Sequence, residues 1–256
     1  MSDEHVPELE HDESHQQDSD GCVTRCLFEG KGARRVYKFP SHDHKKMGFD
    51  YQVSHGEDAW YNLPIHQQGS SARKRFQAIF TTPFAHAWRD PSKRAEVWYM
   101  NAGPYKDLNF KGSYMWPWGN NAHHVIPVDD ALSKVFKYDH LKILQQAKYN
   151  VNAGGNILYL PTSPRHGELF QLLTHPKYHS TYSMEVRTRL KSIKHRLDEA
   201  ADPEKKDHPD VTQKTIANIV TQLNTFSATM RKEIREAGVL KPGAHLNELA
   251  NILAPR

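Results

Sequence analysis

Two histidines, His123 and His124, stand side by side in WGNNAHHVIPVDD, just ahead of Val125, Ile126 and Pro127. Neighbouring side chains on a strand project to opposite faces, so a strand here presents one imidazole on each side. Near neutral pH an imidazole does two kinds of work: it binds a divalent cation through a ring nitrogen, or it accepts a proton. The pair alone is weak evidence, because 17 histidines in 256 residues give about one adjacent pair by chance. Its neighbours decide. Asn156 opens the apolar run Ile157-Leu158-Tyr159-Leu160, which Pro161 stops, and His175 and His179 follow in THPKYH. On a helix, residues four apart share a face, and two such imidazoles can grip one cation. His123 then supplies a third nitrogen from the strand, while His124 stays close to the metal but off it and takes a proton. His166 is the rival to His179 as a ligand.

Those residues need elements to hold them. VIP after the histidine pair and NILYLP after the Asn152-Ala153-Gly154-Gly155 turn read as short strands. Between them, apolar residues from Ala131 to Leu144 predict one or two helices. A loop holding Pro164, His166 and Gly167 comes next. A long helix is predicted from Thr174 as N-cap, with Pro176 in its first turn. Tyr178, Tyr182, Val186, Leu190, Ile193 and Leu197 form its apolar stripe. DPEKKDHPD is a loop. A second helix is predicted over 211–237, with Ile216, Ile219, Val220, Leu223, Phe226, Met230 and Ile234 inward and Gly238 just past its end. A short apolar helix over 246–253 closes the chain.

The remainder is less regular. Residues 1–20 hold eight acids and no Lys or Arg, and read as a disordered acidic tail. Residues 21–110 form an aromatic-rich region in which VYKF, FDYQV, AWYNLPI, FQAIF and VWYM read as short strands. Residues 111–198 hold the histidine constellation, and 211–256 the C-terminal helices. Outside the tail, 34 Lys and Arg face 22 acids, a net +12. An acidic tail on a basic body fits a polyanionic partner for the body, and equally a solubilising tail on an ordinary basic protein. By its charge the tail is expected to restrain nucleic-acid binding at low salt. Arg73, Lys74 and Arg75 beside Phe76, together with Lys177, are candidate phosphate contacts. Cys22 and Cys26 are too few for a disulfide framework; they read as a pair, as part of a metal site, or as free thiols. His42-Asp43-His44 has ligand types at tight spacing but no supporting context. No apolar run approaches the ~20 residues that span a bilayer, and no secretory signal is visible.

In order and type, these motifs resemble the HNH/endonuclease VII superfamily of ββα-metal nucleases. They are most similar to its family of bacterial toxin nucleases named for a conserved Ala-His-His, here Ala122-His123-His124. The resemblance covers about residues 115–195. It implies an α+β fold: a ββα-metal nuclease core elaborated with helices, beside an aromatic-rich mixed N-terminal region and a helical C-terminus. It also implies one divalent metal ion (Mg, Zn, Mn or Ni) held by His123 and His175, with His124 directing water at a phosphodiester and Asn156 bracing the site. His179 joins the ligands by helix geometry alone. The spacing between the pair and the helix exceeds that of compact HNH sites, which makes 131–150 an insertion.

The functional expectation is a metal-dependent endonuclease, DNA favoured, cutting to 3′-hydroxyl and 5′-phosphate ends. The family implies an antibacterial effector with a cognate immunity protein and a secretion-apparatus partner such as type VI secretion. Such a protein is cytoplasmic in its producer and passes without a signal peptide into the target cytoplasm. The alternatives are a nucleic-acid-binding protein with a structural zinc, and a phage or mobile-element endonuclease. Structural zinc usually closes with four Cys or His ligands, and Cys is scarce here.

Overall fold

The computed structural model describes residues 21–24, 40–61, 100, 119–201 and 209–254. The acidic tail, Cys26, VYKF, FQAIF, the Arg73-Lys74-Arg75 cluster and most of DPEKKDHPD lie outside them. The described chain is mostly helical, with one small sheet. The helices are α1 (His44–Ser54), α2 (Tyr138–Gln146), α3 (Pro164–Phe170), α4 (Ser180–Ala201), α5 (Pro209–Leu240) and α6 (Leu249–Leu253). The strands are β1 (Asn120–His124) and β2 (Ile157–Pro161).

The two strands pair antiparallel. The Val125 amide donates to the Asn156 carbonyl at 2.8 Å, and the Thr162 amide donates to Gly119 at 2.9 Å. Every residue of β2 is buried, which explains its unbroken apolar sequence. Between the strands the chain makes a π turn at Val128–Leu132, one α turn at Ser133–Val135, and α2. The helical reading of this insertion agrees with the structure.

By contact the chain divides into two units. One comprises Met1–Met47, His124–Leu158 and His179–Lys232; the other comprises Gly48–His123, Tyr159–Tyr178 and Glu233–Arg256. In the first, α4 buries Tyr182, Val186, Leu190, Ile193 and Leu197, each worth about 1.5–3 kcal/mol relative to exposure. The Tyr182 hydroxyl also donates to the Val125 carbonyl at 2.6 Å, tying α4 to the chain just after the histidine pair. Tyr178 was expected on the same stripe but is 74% exposed, because it precedes the helix. From α5, Leu223 and Met230 are buried as expected, and so is Arg231, whose guanidinium donates to the Ile157 carbonyl.

In the second unit, Thr174 forms a parallel bridge with His245, and its amide donates to Ala244 at 2.8 Å. This corrects the predicted helix start. The Thr174 bridge and Pro176, which disfavours a helical His175, keep 174–179 out of the helix, so α4 begins at Ser180. The expected loop around His166 is α3, with Pro164 in its first turn and Gln171 in the left-handed region at its end (φ 53°). Gly238 lies inside α5 and does not end it. A Cβ there would come 2.8 Å from the Gln171 carbonyl oxygen, so the glycine serves a close helix–backbone approach. FDYQV, expected as a strand, lies in α1, and Trp60 and Tyr61 of AWYNLPI lie in a 3₁₀ turn. Asp43 accepts from the Lys46 amide at 3.0 Å, the N-cap bond of α1. That accounts for His42-Asp43-His44 as a helix start. The short C-terminal helix appears as expected, as a 3₁₀ turn leading into α6.

One buried histidine of the first unit makes the fold sensitive to acid. His140 accepts the Lys137 amide on Nδ1 at 3.2 Å and directs Nε2 at Asp198, 3.1 Å away. Burial lowers its pKa, and Asp198 offsets only part of that. The folded state therefore favours neutral His140, while the unfolded chain binds the proton near the ordinary value of ~6.5. Stability is full above that pH and falls as pH drops through it towards the lower folded value. The urea midpoint is expected to be lower at pH 5.5 than at pH 7.5, and His140→Gln should reduce the difference. An equal drop in that variant would remove His140 as a source.

Candidate metal centre and its histidine pair

β1 turns its two histidines in different directions. The His123 ring stands edge-on to the His175 ring, centroids 5.0 Å apart. The His124 ring instead lies 5.2 Å from His44, and its Nε2 is 3.1 Å from the Asn152 side-chain oxygen. Both histidines are buried, at 2% and 8% exposure. The alternation of a strand thus gives each imidazole its own surroundings.

His175 is placed by backbone bonds, not by a helix. Its amide donates to the Pro161 carbonyl at 2.7 Å, at the end of β2, and Asn121 Nδ2 lies 3.4 Å from its Nδ1. His179 immediately precedes α4, its carbonyl accepting the Ser183 amide at 2.9 Å. The Ser183 hydroxyl lies 3.0 Å from His179 Nδ1. Expected to converge through helical i, i+4 geometry, the two lie on a non-helical segment that runs into a helix start.

His123, His175 and His179 each offer a nitrogen, all within 4.8 Å of one another. Nitrogens sharing one ion stand about 3–3.5 Å apart, given metal–nitrogen bonds of ~2.0–2.1 Å. Small side-chain rotations close that difference, so the donor set fits a single divalent cation. Burial lowers the pKa of His179, favouring the neutral form that binds metal. Ser183 and Asn121 contact Nδ1 of their histidines, as outer partners that orient ligating imidazoles do. His166, the rival ligand, is outside this group; it lies on α3, and burial lowers its pKa. Among the described residues no other group of three His, Cys, Asp or Glu gathers in this way. Cys22 is buried, and its thiol donates to the Thr24 carbonyl at 3.2 Å.

Asn156 is buried, and its amide is committed to the fold. Its Oδ1 accepts the Ile126 amide at 2.8 Å and the Ser227 hydroxyl at 3.0 Å. Its Nδ2 donates to the Val151 carbonyl at 2.8 Å. It holds the strand exit that carries the histidine pair and is a positioning residue. Leaving buried groups of this kind unmet costs about 1–3 kcal/mol each. Asn156→Ala should therefore lower stability by about 2–4 kcal/mol in urea unfolding; a change under ~0.5 kcal/mol would show that the bonds are dispensable.

Sequence reasoning singled out Asn156 but passed over Asn150 and Asn152, which the structure places in the same buried network. The available signal is three asparagines within seven residues, of which the turn reading takes in only Asn152.

An antiparallel strand pair with histidines at its end, followed by a long helix, is consistent with the α+β core of a ββα-type nuclease. Residues 104–223 match the model of a nuclease family of the HNH/ENDO VII superfamily with conserved AHH. It contains Ala122-His123-His124, Asn156, His175 and His179 together. The segment is a hydrolytic nuclease module, and nucleic acid is the substrate of its family. No curated protein and no solved structure matches the chain. Among the described residues, no helix is long and apolar enough to cross a membrane.

Removing ligands one at a time tests the trio. His175→Ala and His179→Ala should each weaken binding of Mn²⁺ or Zn²⁺ at least tenfold, read by calorimetry. A variant that binds metal as the parent does would remove its residue from the ligand set.

Proposed function

We propose that the chain is a metal-dependent endonuclease, DNA favoured, in which His123, His175 and His179 hold one divalent cation and His124 is the general base. The observation that carries this reading is the gathering of three imidazoles within 4.8 Å beside a fourth that strand geometry turns elsewhere. When bound, the cation supplies positive charge to polarise the phosphate and offset charge on the leaving oxygen. His124 accepts a proton from water. The water oxygen bonds to phosphorus, the bond from phosphorus to O3′ breaks, and O3′ takes a proton from solvent. The products are 3′-hydroxyl and 5′-phosphate ends.

Among the described residues the gathered ligand set is three histidines, the number common in catalytic sites, whereas structural zinc sites usually close with four Cys or His ligands. This favours the enzyme over a binding protein with structural zinc. Lys177 and Tyr178 are exposed between the two ligand histidines, with Lys177 Nζ 5.3 Å from the Tyr178 ring centre. They offer a phosphate contact and a stacking face beside the centre. Arg73, Lys74 and Arg75 extend the proposed phosphate contacts.

The biological reading is an antibacterial effector: cytoplasmic and neutralised by an immunity protein in its producer, then delivered by a contact-dependent secretion apparatus into a target cytoplasm. Its support is the toxin-nuclease resemblance of the AHH module. The test is purified chain with plasmid DNA and, separately, RNA across Mg, Mn, Zn and Ni, together with co-expression of the neighbouring gene product. Cleavage of DNA and its suppression by that product are expected. Cleavage of RNA alone would overturn the DNA preference, and unimpeded cleavage would overturn the immunity pairing.

A further inference from the structure

The Gly21–Thr24 segment lies outside the family-matched residues 104–223, yet it reaches the buried network around His124. Cys22 pairs in parallel with Asn150: its amide donates to the Tyr149 carbonyl at 2.8 Å, and its carbonyl accepts the Val151 amide at 2.8 Å. The approach is close enough that a Cβ on Gly21 would come 2.2 Å from the Gln145 carbonyl oxygen. In this position the Thr24 carbonyl accepts Asn152 Nδ2 at 2.9 Å, and Cys22 Sγ accepts it at 3.4 Å. The Asn152 amide donates to Asn150 Oδ1 at 2.9 Å, and Asn150 Nδ2 donates to the Ser41 carbonyl at 2.9 Å. Asn152 and Thr24 are both fully buried.

These bonds decide which way the Asn152 amide faces. A carbonyl such as that of Thr24 only accepts, so the NH₂ group must point to it and Oδ1 must point to His124. An amide oxygen only accepts, so the nitrogen facing it, His124 Nε2, must carry the hydrogen. In a neutral imidazole the lone pair is then on Nδ1. We infer that Asn152, oriented by the N-terminal segment Gly21–Thr24, is a positioning residue that holds the proton of His124 on Nε2 and so makes Nδ1 the basic nitrogen. The nuclease centre on this account is completed from outside the family module. The inference rests on His124 being the base.

The test uses the full chain labelled with ¹⁵N-histidine, in Mg²⁺, at a pH where the imidazole is neutral. The His124 signals are identified by their loss in His124→Ala. The parent should show a protonated Nε2 and an unprotonated Nδ1. Asn152→Leu, which is similar in size but has no acceptor, should give mixed tautomers. It should also lower kcat about 10- to 100-fold, the usual cost of losing a partner that orients a site residue, with KM and Mn²⁺ affinity within about twofold of the parent. A parent protonated on Nδ1 overturns the inference whether or not Asn152→Leu folds. So does a folded Asn152→Leu chain with parental kcat. Full cleavage by His124→Ala would instead sink the base assignment, whatever the tautomer, so the two failures are distinguishable.

Discussion

His124→Ala should reduce cleavage by about 10²–10⁴-fold, the range supplied by a positioned general base, and leave metal affinity unchanged. Its ring lies against His44 and its Nε2 against Asn152, and it is outside the group of imidazoles that can share an ion. Alanine there removes a proton acceptor without removing a ligand. The strand register should survive, because β1 and β2 are joined by backbone bonds that do not use the side chain. Metal binding by calorimetry and nicking of supercoiled plasmid, measured on one preparation, separate the two quantities.

His123→Ala should lose both. It takes one of three nitrogens from the proposed ligand set, and the remaining pair cannot hold the ion as the trio does. Metal affinity should fall by more than the ~10–100-fold that loss of an outer-shell partner costs, and cleavage should fall to background at ordinary metal concentrations. Partial recovery at high metal concentration is expected, since His124 is still in place. If His124→Ala strips the metal while His123→Ala keeps it, the two roles are exchanged.

Much of this arrangement was legible from local pattern. Alternation on a strand separates His123 from His124 whatever the rest of the chain does. The run Ile157–Leu160 reads as a buried strand, and the apolar spacing from Tyr182 to Leu197 reads as a helix. What failed depended on partners distant in sequence. The start of α4 was misplaced because Thr174 and Pro176 look like an N-cap and first turn, whereas Thr174 is bound some 70 residues away at Ala244 and His245. The convergence of His175 and His179 was therefore anticipated for the wrong reason: they lie on a non-helical segment just before α4, not on one helical turn. Gly238 was read as a helix terminator because that is the commonest use of glycine at such a place, and its close approach to Gln171 and Leu172 leaves no local trace. Asn152 was hidden for the same reason, since its partners Cys22 and Thr24 lie nearly 130 residues earlier.

Phosphodiester cleavage by this chain should depend on a divalent cation held at His123, His175 and His179. The most direct measurement is nicking of supercoiled plasmid by the full chain after exhaustive chelation, followed by stepwise return of Mg²⁺ or Mn²⁺ to the parent and to His123→Ala. No cleavage is expected after chelation, with recovery on added metal in the parent and a recovery curve displaced to much higher metal in His123→Ala. Cleavage that survives chelation, or identical curves for the two proteins, would contradict it.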